Sequence, residues 1–79
     1  MTDMEAIAKR YDGVRDAYAF EAGRELRVII DPGELDDSQT VIVAKKIQEE
    51  VSKSLAVPGE VKVTAIREFR AVSPEYVVG

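Results

Sequence analysis

Apolar residues at the start of the chain recur at helical spacing. Met4, Ile7, Ala8 and Tyr11 stand at positions i, i+3, i+4 and i+7 and form one stripe of an amphipathic helix. Asp12-Gly13 follows as a turn signal that ends such a helix. The pattern predicts a short first helix whose stripe faces a core.

The spacing of apolar residues then changes from helical to alternating. Two alternating runs flank Gly23, which can take the positive φ of a tight turn, so the pattern predicts a β-hairpin. One face of the second run carries Leu26, Val28 and Ile30. For the first run we expect Tyr18 and Phe20, together with Val14, to lie against the core, although Asp16 interrupts that face.

A second helix and a third strand complete the pattern. Asp36 and Gln39 have the spacing of a capping box, which predicts a helix from about residue 37 to Leu55. Its expected buried stripe consists of Val41, Ala44, Ile47, Gln48, Val51 and Leu55. Val57-Pro58-Gly59 ends that helix, and the alternation that begins at Val61 predicts a strand continuing through Phe69.

The predicted order α-β-β-α-β indicates an α+β fold. We expect a ferredoxin-like split arrangement: a three-stranded antiparallel sheet, the third strand beside the first, and both helices on one face. Residues 1–72 then form a single αββαβ domain, and residues 73–79, where Pro74 blocks regular pairing, form a tail. The expected core comprises Tyr18, Phe20, Leu26, Val28, Ile30, Val41, Ile47, Val51, Val61 and Val63.

Composition excludes several kinds of chemistry. The 79 residues hold 11 Lys and Arg against 15 Asp and Glu, a net charge of −4, and they include no His and no Cys. Cysteine nucleophiles, thiolate metal sites and histidine bases are therefore absent, and we expect neither catalysis nor a bound cofactor or metal in this chain. An acidic chain also lacks the basic field of most nucleic-acid binders. No apolar run is long enough for a membrane span, so we expect no direct membrane contact.

An acidic loop is the sole candidate for a cation site. Asp31, Glu34, Asp36 and Asp37 lie close together, but their spacing does not fit an EF-hand. The sequence favours a loop that leads into a capped helix start. Gly13 and Gly23 match no phosphate-binding pattern and are interpreted as turn residues.

Basic residues concentrate on the predicted strands. Alternation places Arg15, Arg27, Lys62 and Arg70 on the sheet face away from the helices, together with Ala17, Ala19, Ile29 and Ile66. No aromatic residue is expected there, so protein docking is favoured over a merely solvated face, and RNA contact is only weakly supported. Arg67 falls on the core side, where it either pairs with Asp16 or follows the end of the strand. The candidate interaction residues are Arg15, Ala17, Ala19, Arg24, Arg27, Ile29, Ile66, Arg67 and Arg70.

Two long motifs carry a family resemblance. Residues 13–29, GVRDAYAFEAGRELRVI, and residues 58–72, PGEVKVTAIREFRAV, resemble the domain that follows the hydrolase domain in bacterial ribonuclease Y. Asp36-Asp37 is similar to the acidic pair that opens the intervening helix of that family. The family features that this chain shares are Gly23-Arg24-Glu25, Pro58-Gly59, Arg67-Glu68 and Arg70.

The resemblance implies a module without catalytic residues. Ribonuclease Y is a membrane-anchored endoribonuclease that initiates mRNA turnover, with a coiled coil, a KH RNA-binding domain and a metal-dependent HD hydrolase domain. None of the catalytic His-Asp set can be placed on a chain without His. The implied role is dimerisation or docking on the HD domain, in the cytoplasm, on a parent held at the cytoplasmic face of the bacterial membrane.

Two alternatives remain open from the sequence. The cytoplasmic domain of cation diffusion facilitators has the same αββαβ order and dimerises to bind divalent metal, but that reading calls for His ligands. A free-standing adaptor with no link to RNA decay is the other.

Overall fold

The computed structural model describes residues 3–54 and 61–68 and contains the five predicted elements in the predicted order. They are helix α1 (Asp3–Lys9), strands β1 (Val14–Phe20) and β2 (Glu25–Ile30), helix α2 (Asp37–Ser54) and strand β3 (Lys62–Arg67). A 3-10 turn at Glu21–Gly23 joins the hairpin strands. Within the described ranges no helix is long and apolar enough to cross a membrane. The predicted helix end at Leu55 and the tail at 73–79 lie outside the described residues. Strand β3 ends at Arg67 and does not include Glu68, so its predicted continuation through Phe69 is not found.

The sheet confirms the α+β class but is mixed rather than antiparallel. Its strand order is β1-β2-β3, with β1 antiparallel to β2 and β2 parallel to β3. The third strand does run antiparallel to the first, yet β2 lies between them, so the prediction that the two are neighbours is wrong. The central position suits β2 because Leu26, Val28 and Ile30 are fully buried and Ile29 on its other face is half-buried.

A β-bulge near the start of β1 changes which residues face the core. Val14 pairs with Ile30, but Asp16 pairs with Ile29, so β1 contains one extra residue at this point. An extra residue shifts the alternation by one position and turns every later side chain to the opposite face.

Because of the bulge, the prediction of which β1 side chains point toward the core is wrong. Ala17 is 3% exposed and Ala19 packs against the core, whereas Tyr18 is 47% exposed and Phe20 is 39% exposed. The small alanine side chains let α1 pack closely on β1, and the two aromatic residues occupy the sheet face away from the helices.

Both helices contribute to one core on the same face of the sheet, as expected. Its buried residues are Met4, Ile7, Ala8, Ala17, Leu26, Val28, Ile30, Ile47, Val51 and Val61. Val63 is half-buried against this core. The predicted stripe of α2 is confirmed at Ile47 and Val51, which are buried. Val41 was expected inside but is 68% exposed, and Thr40 is the buried residue at this end of the helix.

The start of α2 confirms the predicted capping box. The backbone N–H of Gln39 donates to Asp36 Oδ1 at 2.8 Å, and the backbone N–H of Asp36 donates to Gln39 Oε1 at 2.9 Å. Thr40 Oγ1 also donates to the Asp36 carbonyl at 2.8 Å. These reciprocal bonds satisfy backbone groups that would otherwise lack partners at the helix start.

Candidate functional site

The sheet face opposite the helices presents nine side chains in three rows across the strands. We call this surface the open face. Cross-strand pairing defines its rows as Asp16–Ile29–Ile66, Tyr18–Arg27–Thr64 and Phe20–Glu25–Lys62. The predicted open-face residues Arg27, Lys62, Ile29 and Ile66 are therefore brought together, while Ala17 and Ala19 are corrected to the core side.

An acid–base pair, Glu25 and Arg27, lies on the central strand of the open face. Glu25 is only 9% exposed and accepts hydrogen bonds from Arg27 Nε at 3.3 Å and Thr64 Oγ1 at 3.1 Å. The Arg27 hydrogen bond lowers the pKa of Glu25 despite the opposing effect of burial. Glu25 is thus held in its anionic form, with its charge compensated inside the chain.

The open face has an aromatic side on β1. The guanidinium carbon of Arg27 lies 4.3 Å from the centre of the Phe20 ring, a cation–π geometry. The hydroxyl of Tyr18 donates to Asp16 Oδ2 at 2.8 Å. This bond raises the pKa of Tyr18 and lowers the pKa of Asp16. The aromatic rings are therefore fixed by polar contacts while their apolar surfaces remain accessible.

Sequence reasoning missed these aromatic residues because it placed them in the core. The signal that could have located them was Asp16. It is spaced by two residues from Tyr18 and lies on the same strand face, so burying the aromatic residues would also bury its carboxylate. A bulge that moves Asp16, Tyr18 and Phe20 outward together removes this conflict.

Side chains cap the outer edge of β1. The backbone N–H of Ala17 donates to Asp16 Oδ1 and that of Ala19 donates to Glu5 Oε2, each at 2.9 Å. Lys9 Nζ also lies 3.4 Å from Asp16 Oδ1. An incoming strand would need these same donors, so β1 is protected against strand addition.

The remaining predicted interaction residues are dispersed around the molecule. Arg15 pairs with Asp31 at 3.5 Å, and Arg24 is exposed at the hairpin turn, where its carbonyl accepts the N–H of Lys62. Arg67 is the last residue of β3 and contacts Asp37 at 3.3 Å, so both alternatives, a pair with Asp16 and a strand that ends before Arg67, are wrong. Arg70 lies outside the described residues.

The acidic loop makes local bonds consistent with a capped helix start. Asp31 Oδ1 accepts the backbone N–H of Gly33 at 2.9 Å, and Asp36 belongs to the capping box. Over residues 3–54 and 61–68, no three His, Cys, Asp or Glu side chains are grouped to hold a metal ion.

A second apolar surface lies beside the start of α2. Leu35, Ile42 and Val43 line a groove next to Tyr11, and the neighbouring Val41 projects into solvent. Sequence reasoning missed this surface because it placed Val41 in the buried stripe.

Comparison with known proteins supports the sequence resemblance. Ribonuclease Y of Lactobacillus acidophilus is 52% identical over 73 residues, covering 92% of this chain and 13% of that protein. Ribonuclease Y of Lactobacillus helveticus is 51% identical over the same length, and that of Streptococcus agalactiae serotype III is 46% identical over 72 residues. No family model and no solved structure matches the chain. The chain spans about one eighth of the length of these curated relatives and is homologous to that part of ribonuclease Y.

Proposed function

We propose that this domain is a non-catalytic module of a ribonuclease Y-like endoribonuclease that initiates mRNA decay in bacteria. Its role is dimerisation or docking on the parent's HD hydrolase domain through the open face. The observation that carries this role is the exposure of Tyr18 and Phe20 on a sheet face that neither helix covers.

The chain's own residues support a role outside the chemistry. Metal-assisted hydrolysis by the parent needs a donor set that this chain lacks, because the sequence contains no His and no Cys. The divalent metal belongs, in this proposal, to the HD domain. The module lies in the cytoplasm on a parent held at the membrane and makes no lipid contact itself.

The composition of the open face favours a protein partner. Tyr and Arg are enriched among residues that dominate protein–protein binding, and both occur here beside Phe20, Ile29 and Ile66. The exposed rings also offer surfaces on which RNA bases could stack. The overall charge of −4 opposes phosphate binding, so we place protein docking first.

The test replaces apolar open-face residues in the full-length parent. We expect Phe20→Ser with Ile66→Ser to impair assembly or mRNA turnover while the isolated module remains folded. Val41→Ser with Ile42→Ser is the matched control, since both control residues are exposed on α2. Normal assembly and normal turnover with the open-face pair would refute the docking role.

Cleavage assays test the non-catalytic assignment separately. We expect the purified 79-residue chain to leave RNA intact with or without added divalent metal. RNA cleavage that a chelator abolishes, and that persists through purification, would refute it.

A further inference from the structure

We propose that the open face binds the open face of a second copy of this chain, with Asp16 of each copy beside Lys62 of the other. This inference deepens the docking role proposed above and rests on it. It selects one occupant for the surface and one arrangement of the two copies.

The charges of the open face permit self-association. The chain as a whole carries −4, so two copies repel each other on average. The open face instead holds two acids, Asp16 and Glu25, and two bases, Arg27 and Lys62, which sum to zero. It is thus a surface on which two acidic copies can meet without net repulsion.

The positions of these charges are self-complementary. Glu25 and Arg27 compensate each other at short range. Asp16 and Lys62 occupy diagonally opposite corners of the three rows, one on β1 and the other on β3. Asp16 keeps a side chain that is 38% exposed although Lys9 lies beside it, so it remains accessible to a partner.

A two-fold axis converts this diagonal into two ion pairs. An axis lying in the interface through Arg27, perpendicular to the line from Asp16 to Lys62, brings each corner onto the opposite corner of the second copy. The strands of the two sheets then cross at a steep angle, one of the two established modes of sheet packing. The two Arg27 side chains meet near the axis, where each is already held by its own Glu25.

The size of the face indicates a weak contact between isolated copies. Three strands and three rows cover roughly 300 Å² of sheet per copy, below the ~800 Å² per partner of a stable interface. Such a contact becomes effective when another part of a longer protein holds the copies together and raises their effective concentration. That setting agrees with a chain that spans 13% of its relative's length.

A dilution series with the 79-residue chain tests the contact. We expect sedimentation and NMR between tens of micromolar and about 1 mM to show weak, fast self-association. Amide shifts should change with concentration at Tyr18, Arg27 and Ile66 and stay constant at Val41. Shifts confined to the groove beside α2, or none at all, would overturn the arrangement.

Charge exchange then tests the partner's identity. Asp16→Lys and Lys62→Asp should each weaken self-association about fivefold, because each variant puts like charges at both corner contacts. Mixing the two variants should restore association, since every corner contact then joins Lys to Asp. Lys45→Asp on the exposed side of α2 is the matched control, because it changes the net charge as Lys62→Asp does. Asp16→Lys also removes the acceptor of the Tyr18 hydrogen bond, so misfolding is a second explanation for its effect. Lys62 is exposed, so Lys62→Asp tests the same contact without that complication.

The outcomes separate this inference from the proposed function. Failure of the mixed variants to associate, or equal effects of Lys45→Asp and Lys62→Asp, would refute the contacts between Asp16 and Lys62 that define the proposed arrangement. Shifts at Tyr18 and Phe20 on adding a single-stranded RNA oligonucleotide, without any concentration dependence, would assign the face to RNA instead. In either case the effect of Phe20→Ser with Ile66→Ser on the full-length parent still decides the docking role.

Discussion

Arg67 at the end of β3 donates from Nε to the backbone carbonyl of Leu35 in the loop before α2. The same guanidinium donates to the Pro32 carbonyl at 3.1 Å and to Asp37 Oδ1 at 3.3 Å. One side chain thus joins the last described strand to the loop and to the first turn of α2. The planar group of Arg offers several donors in fixed directions, which suits this arrangement.

Replacement of Arg67 by Ala should lower the free energy of unfolding by about 1–3 kcal/mol, because three acceptors lose their donor. Urea unfolding followed by circular dichroism measures the change. Arg67→Lys keeps the charge but cannot reach all three acceptors, so we expect it to recover less than half of the loss. Wild-type stability in Arg67→Ala would show that the loop is held by other contacts.

Gly13 lies directly against the Leu35 side chain. Its φ is +88°, and a Cβ added there would approach Leu35 Cγ to 2.5 Å. Gly13→Ala should therefore destabilise the domain by more than ~2 kcal/mol, through both backbone strain and steric overlap.

Gly23→Ala is the matched control for Gly13→Ala. Gly23 has a similar φ of +86°, but its nearest neighbour would be Met4 Cε at 3.4 Å, an ordinary contact. Gly23→Ala should therefore lower the free energy of unfolding by only about 1 kcal/mol, which is the cost of the backbone conformation alone. The double variant Gly13→Ala, Leu35→Ala should recover part of the steric loss. Equal effects of the two single glycine variants in thermal unfolding would contradict this explanation.

The local elements could be predicted from the sequence, whereas the arrangement of the strands could not. Asp36 and Gln39 form a capping box because both members lie within one helical turn. The position of β3 beside β2 depends on how the α2 crossover packs, which alternation within a strand does not encode.

One extra residue accounts for most of the error at the candidate site. The bulge between Val14 and Asp16 turned Tyr18 and Phe20 outward, and strict alternation cannot represent it. The predicted positions of Ile29, Ile66 and Arg27 on this face are correct, because the pairing of β2 with β3 contains no bulge.

The contact between Tyr11 and Glu50 should make stability depend on pH in the alkaline range. The hydroxyl of Tyr11 donates to Glu50 Oε1 at 2.6 Å, and this bond raises the pKa of Tyr11 above its usual 10.0. A raised pKa in the folded state means that folding favours the neutral phenol. Its contribution is therefore complete below pH 10 and is lost as the pH rises through the folded-state pKa.

Tyr11→Phe should remove this contribution, so that the variant loses less stability than the wild type between about pH 8 and pH 11. Urea unfolding at both pH values measures the difference. Tyr18→Phe serves as the comparison, because the pKa of Tyr18 is raised by Asp16 on the open face rather than by a carboxylate of α2. An identical alkaline loss in Tyr11→Phe and the wild type would contradict the role of the Glu50 bond.

The protection of β1 by Glu5 is testable at a single amide. Glu5 Oε2 accepts the N–H of Ala19, while Asp16 Oδ1 accepts that of Ala17. Glu5→Ala should speed hydrogen exchange at Ala19 about five- to tenfold, which corresponds to the loss of one hydrogen bond of about 1 kcal/mol, and should leave Ala17 unchanged.

Because the freed N–H can then pair with another strand, Glu5→Ala should also associate at lower concentration than the wild type. Glu49→Ala, which removes an exposed carboxylate from α2, controls for the change in charge and should alter neither quantity. Unchanged exchange at Ala19 in Glu5→Ala would mean that the edge of β1 is protected by something other than this carboxylate.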